Sequence, residues 1–153
     1  MSDVMEVIKT RSSTRGYTTE LLTQEELDAL LHAGLQAPTA ANRQEIHFTV
    51  LKGDNPILAE LEAEKNRLRD LASPPHNFYY EAPVVVVLSA DSEFRWSALD
   101  AGIAVENMAL AAEELGNLII GCIYDAMRGE KKAYFSQAMK FPENYEYEIA
   151  IAF

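Results

Sequence analysis

Arg11-Ser12-Ser13-Thr14-Arg15 puts two guanidinium groups and three hydroxyls into five consecutive positions. The rest of the chain is acidic, with 24 acids against 13 bases and a formal net charge of -11. Guanidinium forks beside hydroxyl donors suit a phosphate monoester dianion. The same residues also suit a helix end, with arginines complementing the dipole and Ser and Thr closing a turn. A second polar segment is Ala37-Pro38-Thr39-Ala40-Ala41-Asn42-Arg43-Gln44. Its small residues permit close backbone approach, and Thr39, Asn42 and Gln44 offer groups to the edge of a heterocycle. It would serve equally as a connection in which Thr and Asn cap free backbone groups. Spacing alone leaves both readings of both segments open.

Other constellations are missing. His32, His47 and His76 are scattered, none paired with a carboxylate at metal-ligand spacing, and read as surface or satisfied interior histidines. Cys122 is the only cysteine, which excludes a disulfide scaffold and a thiolate zinc site. It stands in the apolar run Leu118-Ile119-Ile120-Gly121-Cys122-Ile123 and is expected to be an inert buried thiol. No glycine-rich nucleotide fingerprint follows any expected strand.

A length of 153 residues with 48% apolar side chains fits one domain, 1–153, with a sizeable core. The acidic balance argues against binding nucleic acid or an anionic membrane, which requires basic patches. No uncharged stretch approaches a membrane span, and Asp3 and Glu6 near the start do not suit a signal peptide. A soluble, cytoplasmic protein is expected.

The elements that must carry the two segments follow from periodicity. A first helix covers Val4 to about Arg11. Thr23-Gln24-Glu25-Glu26 is a capping box, and Leu27, Leu30, Leu31 and Leu35 repeat at helical spacing until Ala37-Pro38. A strand is expected over Ile46–Leu51, a surface helix from Ile57 to Leu68, and a loop from Asp70 to Glu81. Val84-Val85-Val86-Val87-Leu88 reads as a strand buried on both faces. The longest helix, Trp96 to Leu115, is apolar almost all the way round and should be buried on several sides. A strand over Leu118–Ile123, a helix near Ala126–Met139 and a closing strand from Glu146 complete an α+β chain, an α/β sandwich with helices on both faces of a sheet. A helix so apolar is hard to cover within one small domain, so part of it is expected to meet a second subunit across a two-fold axis.

Taken together and in this order, these segments resemble the nitroreductase family of FMN-dependent oxidoreductases. The matching residues are Arg11, Ser13 and Arg15, then Ala37, Pro38, Thr39, Asn42 and Gln44. Ala82-Pro83 before the valine strand, Asp100, Gly102 and Asn107 in the long helix, Leu115-Gly116 and Ile120-Gly121 extend the match over essentially the whole chain. The sequence departs from the family pattern at Ser12, where many relatives carry Arg or His, and at Glu45-Ile46, which replaces Pro-Trp. The family pattern also implies a basic tail beyond the position of Phe153.

The resemblance implies a nitroreductase-like fold, with a central mixed β-sheet flanked by helices and the long buried helix at a homodimer interface. It implies FMN in a cleft between subunits. Arg11, Ser12, Ser13 and Arg15 would hold the phosphate and ribityl chain, and Pro38, Thr39, Ala40 and Asn42 would come from the other subunit. Gly121 and Cys122 would present backbone near the flavin N5 side. The flavin would carry the hydride chemistry from NAD(P)H to a nitroaromatic, quinone or similar acceptor by a ping-pong mechanism, with no side-chain acid–base pair. The same fold would also accommodate an FMN-dependent dehalogenase or dehydrogenase, or a non-catalytic flavin-binding dimer.

Overall fold

The computed structural model describes residues 4–69 and 76–153. The part of the expected loop over 70–75, and Asp3, lie outside the described residues. Four strands, β1 (His47–Lys52), β2 (Val84–Asp91), β3 (Leu118–Ile120) and β4 (Tyr145–Ala152), form one sheet in the order β1-β2-β4-β3. Neighbouring strands are antiparallel throughout. The expected mixing of strand directions is confined to one isolated parallel bridge, Ser13 with Asn117.

The valine run is the centre of the sheet, and residues 84–90 are buried without exception. Its alternation divides the core. Val84, Val86 and Leu88 face α2 (Gln24–Leu35) and α4 (Ser97–Ala111), joining Leu30, Ala104, Val105 and Met108. Val85 and Val87 face the other layer, where Leu58 and Leu61 of α3 (Pro56–Leu68) pack with Met127 and Phe135. Two buried faces explain the absence of the polar alternation that a half-exposed strand would show.

Local signals account for the helix ends. The Thr23 hydroxyl accepts the Glu26 N–H at 3.2 Å, and the Glu26 carboxylate accepts the Thr23 N–H at 2.8 Å. Asn55 caps α3 by accepting the Ile57 N–H at 3.0 Å, ahead of Pro56 at the first helical position.

Three expectations are corrected. The helix expected over Ala126–Met139 is two, α5 (Tyr124–Arg128) and α6 (Lys132–Ala138), broken at Gly129. A Cβ on Gly129 would lie 2.6 Å from the Asp125 carbonyl oxygen, so the chain turns there only with glycine. The strand expected to reach Ile123 stops at Ile120, because the Gly121 carbonyl accepts the Tyr124 N–H at 3.1 Å and turns the chain toward α5. The long helix is buried along one side only within this chain. Ala104 and Met108 point into the core, whereas Leu99 and Ile103 are 60% and 42% exposed. Leucine and isoleucine outside the packed stripe account for the all-round apolar pattern.

Candidate functional site

Residues Arg11 to Arg15 follow the end of α1 (Val4–Thr10) and run beside the start of β3. The Thr14 N–H donates to the Asn117 carbonyl at 2.8 Å, and the Thr14 hydroxyl accepts the Asn117 N–H at 3.1 Å. The Asn117 side chain is buried and donates to the Ala109 carbonyl near the end of α4 at 3.0 Å. Gly116, at φ +83, is required for this approach, since a Cβ there would lie 2.8 Å from the Thr14 hydroxyl. The segment is therefore fixed at its centre while Ser12, Ser13 and Arg15 are exposed and Arg11 is half-buried. Neither Arg11 nor Arg15 makes an ion pair with any described residue. In a chain with an excess of eleven negative charges, two guanidiniums four positions apart are thus left free of ion pairs, and such groups suit anions.

The second segment is strained and pinned. Ala41, Asn42 and Gln44 have φ of 54, 53 and 51, three left-handed non-glycine residues within four positions. Such conformations persist where the surroundings over-determine them, and they cluster at ligand clamps. The Thr39 hydroxyl accepts the Gln44 N–H at 2.9 Å, and the Asn42 N–H donates to the Thr39 carbonyl at 2.9 Å. The Ala40 N–H reaches both carboxylate oxygens of Asp100, in the first turn of α4, at 3.1 and 3.0 Å. Arg43 leaves the loop sideways, bonded to Asp91 at 2.9 Å with its guanidinium 4.1 Å from the Phe94 ring centroid. Sequence reasoning missed this anchor. Pro38 and Asn42 remain exposed.

Gly121 and Cys122 follow the last residue of β3. A Cβ at Gly121 would meet nothing within 4 Å, so open space stands above it. Tyr147, fully buried, donates its hydroxyl to the Ile120 carbonyl at 2.8 Å and holds the strand end in place. Cys122 is exposed, contrary to the buried thiol expected, because the chain has already left the sheet. It borders a cavity of about 200 Å³ with Lys65, Asn66, His76 and Asp125. The protein groups packed beside the exposed thiol still remove part of its water and push it up, with the nearby Lys65 charge acting the other way. That is the setting of a resting thiol rather than a nucleophile.

Within one chain these pieces do not converge. The 38–42 loop docks at Asp100, and the 11–15 segment docks through Asn117 at Ala109. The two anchors are nine positions apart along α4, about 13 Å of rise. The sequence marks Glu45 only as a departure from the family pattern; the structure buries it behind the loop with neither carboxylate oxygen in hydrogen-bond geometry with a partner. No cluster of three or more metal-ligating side chains occurs among the described residues, and no described helix is long and apolar enough to cross a membrane.

The nitroreductase family model matches residues 8–153. A protein of Methanothermobacter thermautotrophicus, provisionally named NADH dehydrogenase/NAD(P)H nitroreductase, is 32% identical over 119 residues. That match covers 74% of this chain and 57% of the relative, so the chain spans little more than half that relative's length. A Bacteroides fragilis nitroreductase with bound FMN superposes with a TM-score of 0.86 at 25% identity, covering 99% of this chain and 87% of that one. A Desulfitobacterium hafniense nitroreductase with bound FMN gives 0.86 at 28% identity, over 99% and 88%.

Proposed function

The chain belongs to the nitroreductase family, and we propose that it is an FMN-dependent NAD(P)H oxidoreductase acting as a homodimer. The observation that carries this reading is the placement of its two polar segments toward opposite ends of α4, with Leu99 and Ile103 exposed on the outer face between them. A two-fold axis perpendicular to α4 runs the partner helix in the opposite direction. The Arg11–Arg15 segment of one copy then meets the Pro38–Asn42 loop of the other, and two equivalent sites form.

The outer face of α4 is suited to that contact. Leu99 and Ile103 are exposed around Gly102, where a Cβ would meet nothing within this chain. Glycine within a helix costs about 1 kcal/mol relative to alanine. With no reason for it inside this chain, a close approach by the partner helix is the natural one. Helix α1 buries no residue in this chain and exposes Val4, Met5 and Ile8, which supports a partner covering it too.

The residues fit FMN in kind. Arg11 and Arg15 supply the charge and Ser12 and Ser13 the hydroxyl donors for the phosphate and ribityl chain. Pro38, Thr39, Ala40 and Asn42 of the partner subunit supply a stiff polar wall, held by the Asp100 anchor. Gly121, with Cys122, has open space beside its backbone and would present it to the flavin ring near N5. When bound, FMN supplies hydride chemistry between NAD(P)H and an acceptor such as a nitroaromatic or quinone. The protein's part is to bind, orient and restrict access. One open space beside Gly121 serves both substrates, which must occupy it in turn, since transfer needs reacting atoms about 3–3.5 Å apart.

The test is the absorption spectrum of the purified protein after incubation with FMN and desalting, followed by a screen of NADH and NADPH against nitroaromatic and quinone acceptors. Retained flavin reduced by either nucleotide and reoxidised by an acceptor supports the reading. A protein that retains no flavin, or whose flavin neither nucleotide reduces, overturns it.

A further inference from the structure

Glu45 is the residue before the strand side of the loop, and 8% of its surface is exposed. Both of its carboxylate oxygens are buried, and neither is in hydrogen-bond geometry with a partner. A buried ionised carboxylate without partners is strongly unfavourable, so such a group either finds a counter-charge or keeps its proton. The charged and titratable groups around Glu45 do not offer a free counter-charge. On α4, Asp100 is committed to the Ala40 N–H. In the loop, Arg43 is committed to Asp91, at the end of β2, and to the Phe94 ring. At the start of β4, burial together with Asp91 and Glu45 pushes the Tyr145 hydroxyl up, so it stays neutral as well.

We propose that Glu45 is a positioning residue whose ionisation unseats the Pro38–Gln44 loop, making flavin affinity depend on pH. Neutral Glu45 sits beside Asp100 without penalty and leaves that carboxylate free to hold the Ala40 N–H. Ionised Glu45 places a second negative charge against Asp100 in a buried setting. The cheapest relief is to move the loop outward, where water reaches the charge. Burial is the main cause raising the Glu45 carboxyl above its ordinary range; its own backbone N–H and the Arg43 charge oppose it, and the Asp100 carboxylate adds to it through its charge and through a hydrogen bond shared with the protonated Glu45 carboxyl. The sign follows. The folded protein holds the Glu45 proton at pH values where the unfolded chain has lost it, so stability and loop seating decline as pH rises through that window.

The inference rests on the flavin reading above, and its test separates the two. Dissociation constants for FMN and for riboflavin, which lacks the titrating phosphate, are measured from about pH 5.5 to about pH 8.5 in wild type and Glu45→Gln. Wild-type riboflavin affinity should fall about fivefold or more across this range, the scale of an ordinary coupling between sites. The Glu45→Gln profile should be flat. Titration of the side-chain carboxyls of both apoproteins by carbon-13 NMR supplies a readout independent of any ligand. Glu45 and the half-buried Glu148 should both titrate above the ordinary carboxylate range, and only the Glu45 signal should be absent from Glu45→Gln. Flavin binding with the same pH profile in both proteins, or no raised carboxyl signal lost on going from wild type to Glu45→Gln, overturns the proposal alone. No flavin binding by either protein at any pH overturns the underlying reading and the proposal together.

Discussion

The Ala40 N–H and the Asp100 carboxylate, sixty residues apart, meet at 3.1 and 3.0 Å. This bond fixes a loop with three left-handed residues to the first turn of the helix that forms the outer face of the molecule. The helix N-terminus complements the same negative charge. Asp100→Ala removes the acceptor and leaves a part-buried N–H unpaired, at a cost of about 1–3 kcal/mol. Urea unfolding should show that loss, and flavin affinity should fall with it for FMN and riboflavin alike.

The arginines should act differently. A hydrogen bond to a charged group contributes about 1.5–3 kcal/mol, so Arg15→Ala should weaken FMN roughly ten- to a hundredfold. Riboflavin affinity should hardly change, nor should the unfolding midpoint, because Arg15 is exposed and unpaired. Equal losses for both ligands would make the arginine a fold residue, not a phosphate ligand.

Gly116→Ala tests how the first segment is held. At φ +83, with a Cβ 2.8 Å from the Thr14 hydroxyl, alanine would be strained and would push Thr14 off Asn117. Stability should fall by more than about 1 kcal/mol, and FMN binding should weaken beyond what the stability loss explains.

Much of this was legible in the sequence, and the failures have definite causes. The capping box at Thr23 and the buried strand at Val84–Leu88 are local patterns, and they appear where expected. The two polar segments were legible because their residues are contiguous. Arg43 and Glu45 were not, since the partner of one and the isolation of the other depend on Asp91, Phe94 and Asp100, far away in sequence. The exposure of Cys122 was hidden by apolar neighbours that belong to two elements, β3 and the turn into α5. The one-sided burial of α4 was hidden because exposed Leu99 and Ile103 are of the same types as the residues of a core.

That last point separates two kinds of substitution on one helix. Ile103→Glu places a charge on the exposed face and should give a folded protein that sediments as a monomer and loses flavin. Met108 is fully buried. Met108→Glu should fail to fold, because the carboxylate would have no partner in the core. If Ile103→Glu remains dimeric, the partner does not dock on this face.

Acid stability should depend on Glu64. Its carboxylate is buried between Arg67 at 2.7 Å and Lys131 at 2.9 Å, and these hydrogen bonds hold it down to about 2. A depressed carboxyl contributes stability above the ordinary carboxylate range and loses it as pH falls toward about 2. Wild type should therefore lose stability on acidification over that window more steeply than Glu64→Gln, as read from thermal melts at stepped pH.

Initial velocities should give parallel lines when NAD(P)H is varied at fixed acceptor concentrations, with excess acceptor competing against the nucleotide. Intersecting lines with a trapped ternary complex would refute the single open space beside Gly121 while leaving flavin binding intact. The rate should also lack a sharp two-sided pH profile, since the proposed flavin chemistry calls for no side-chain acid–base pair.

Native mass spectrometry of the FMN-loaded protein bears most directly on the shared site. The account predicts a dimer carrying two FMN, and Ile103→Glu monomers carrying none. It also predicts that mixing Arg15→Ala with Asp100→Ala chains leaves mixed dimers with one intact site and one doubly damaged site, and hence one tightly held FMN. A wild-type monomer holding one FMN at micromolar concentration, or mixed dimers that recover no tight site, would contradict a cleft built from both copies.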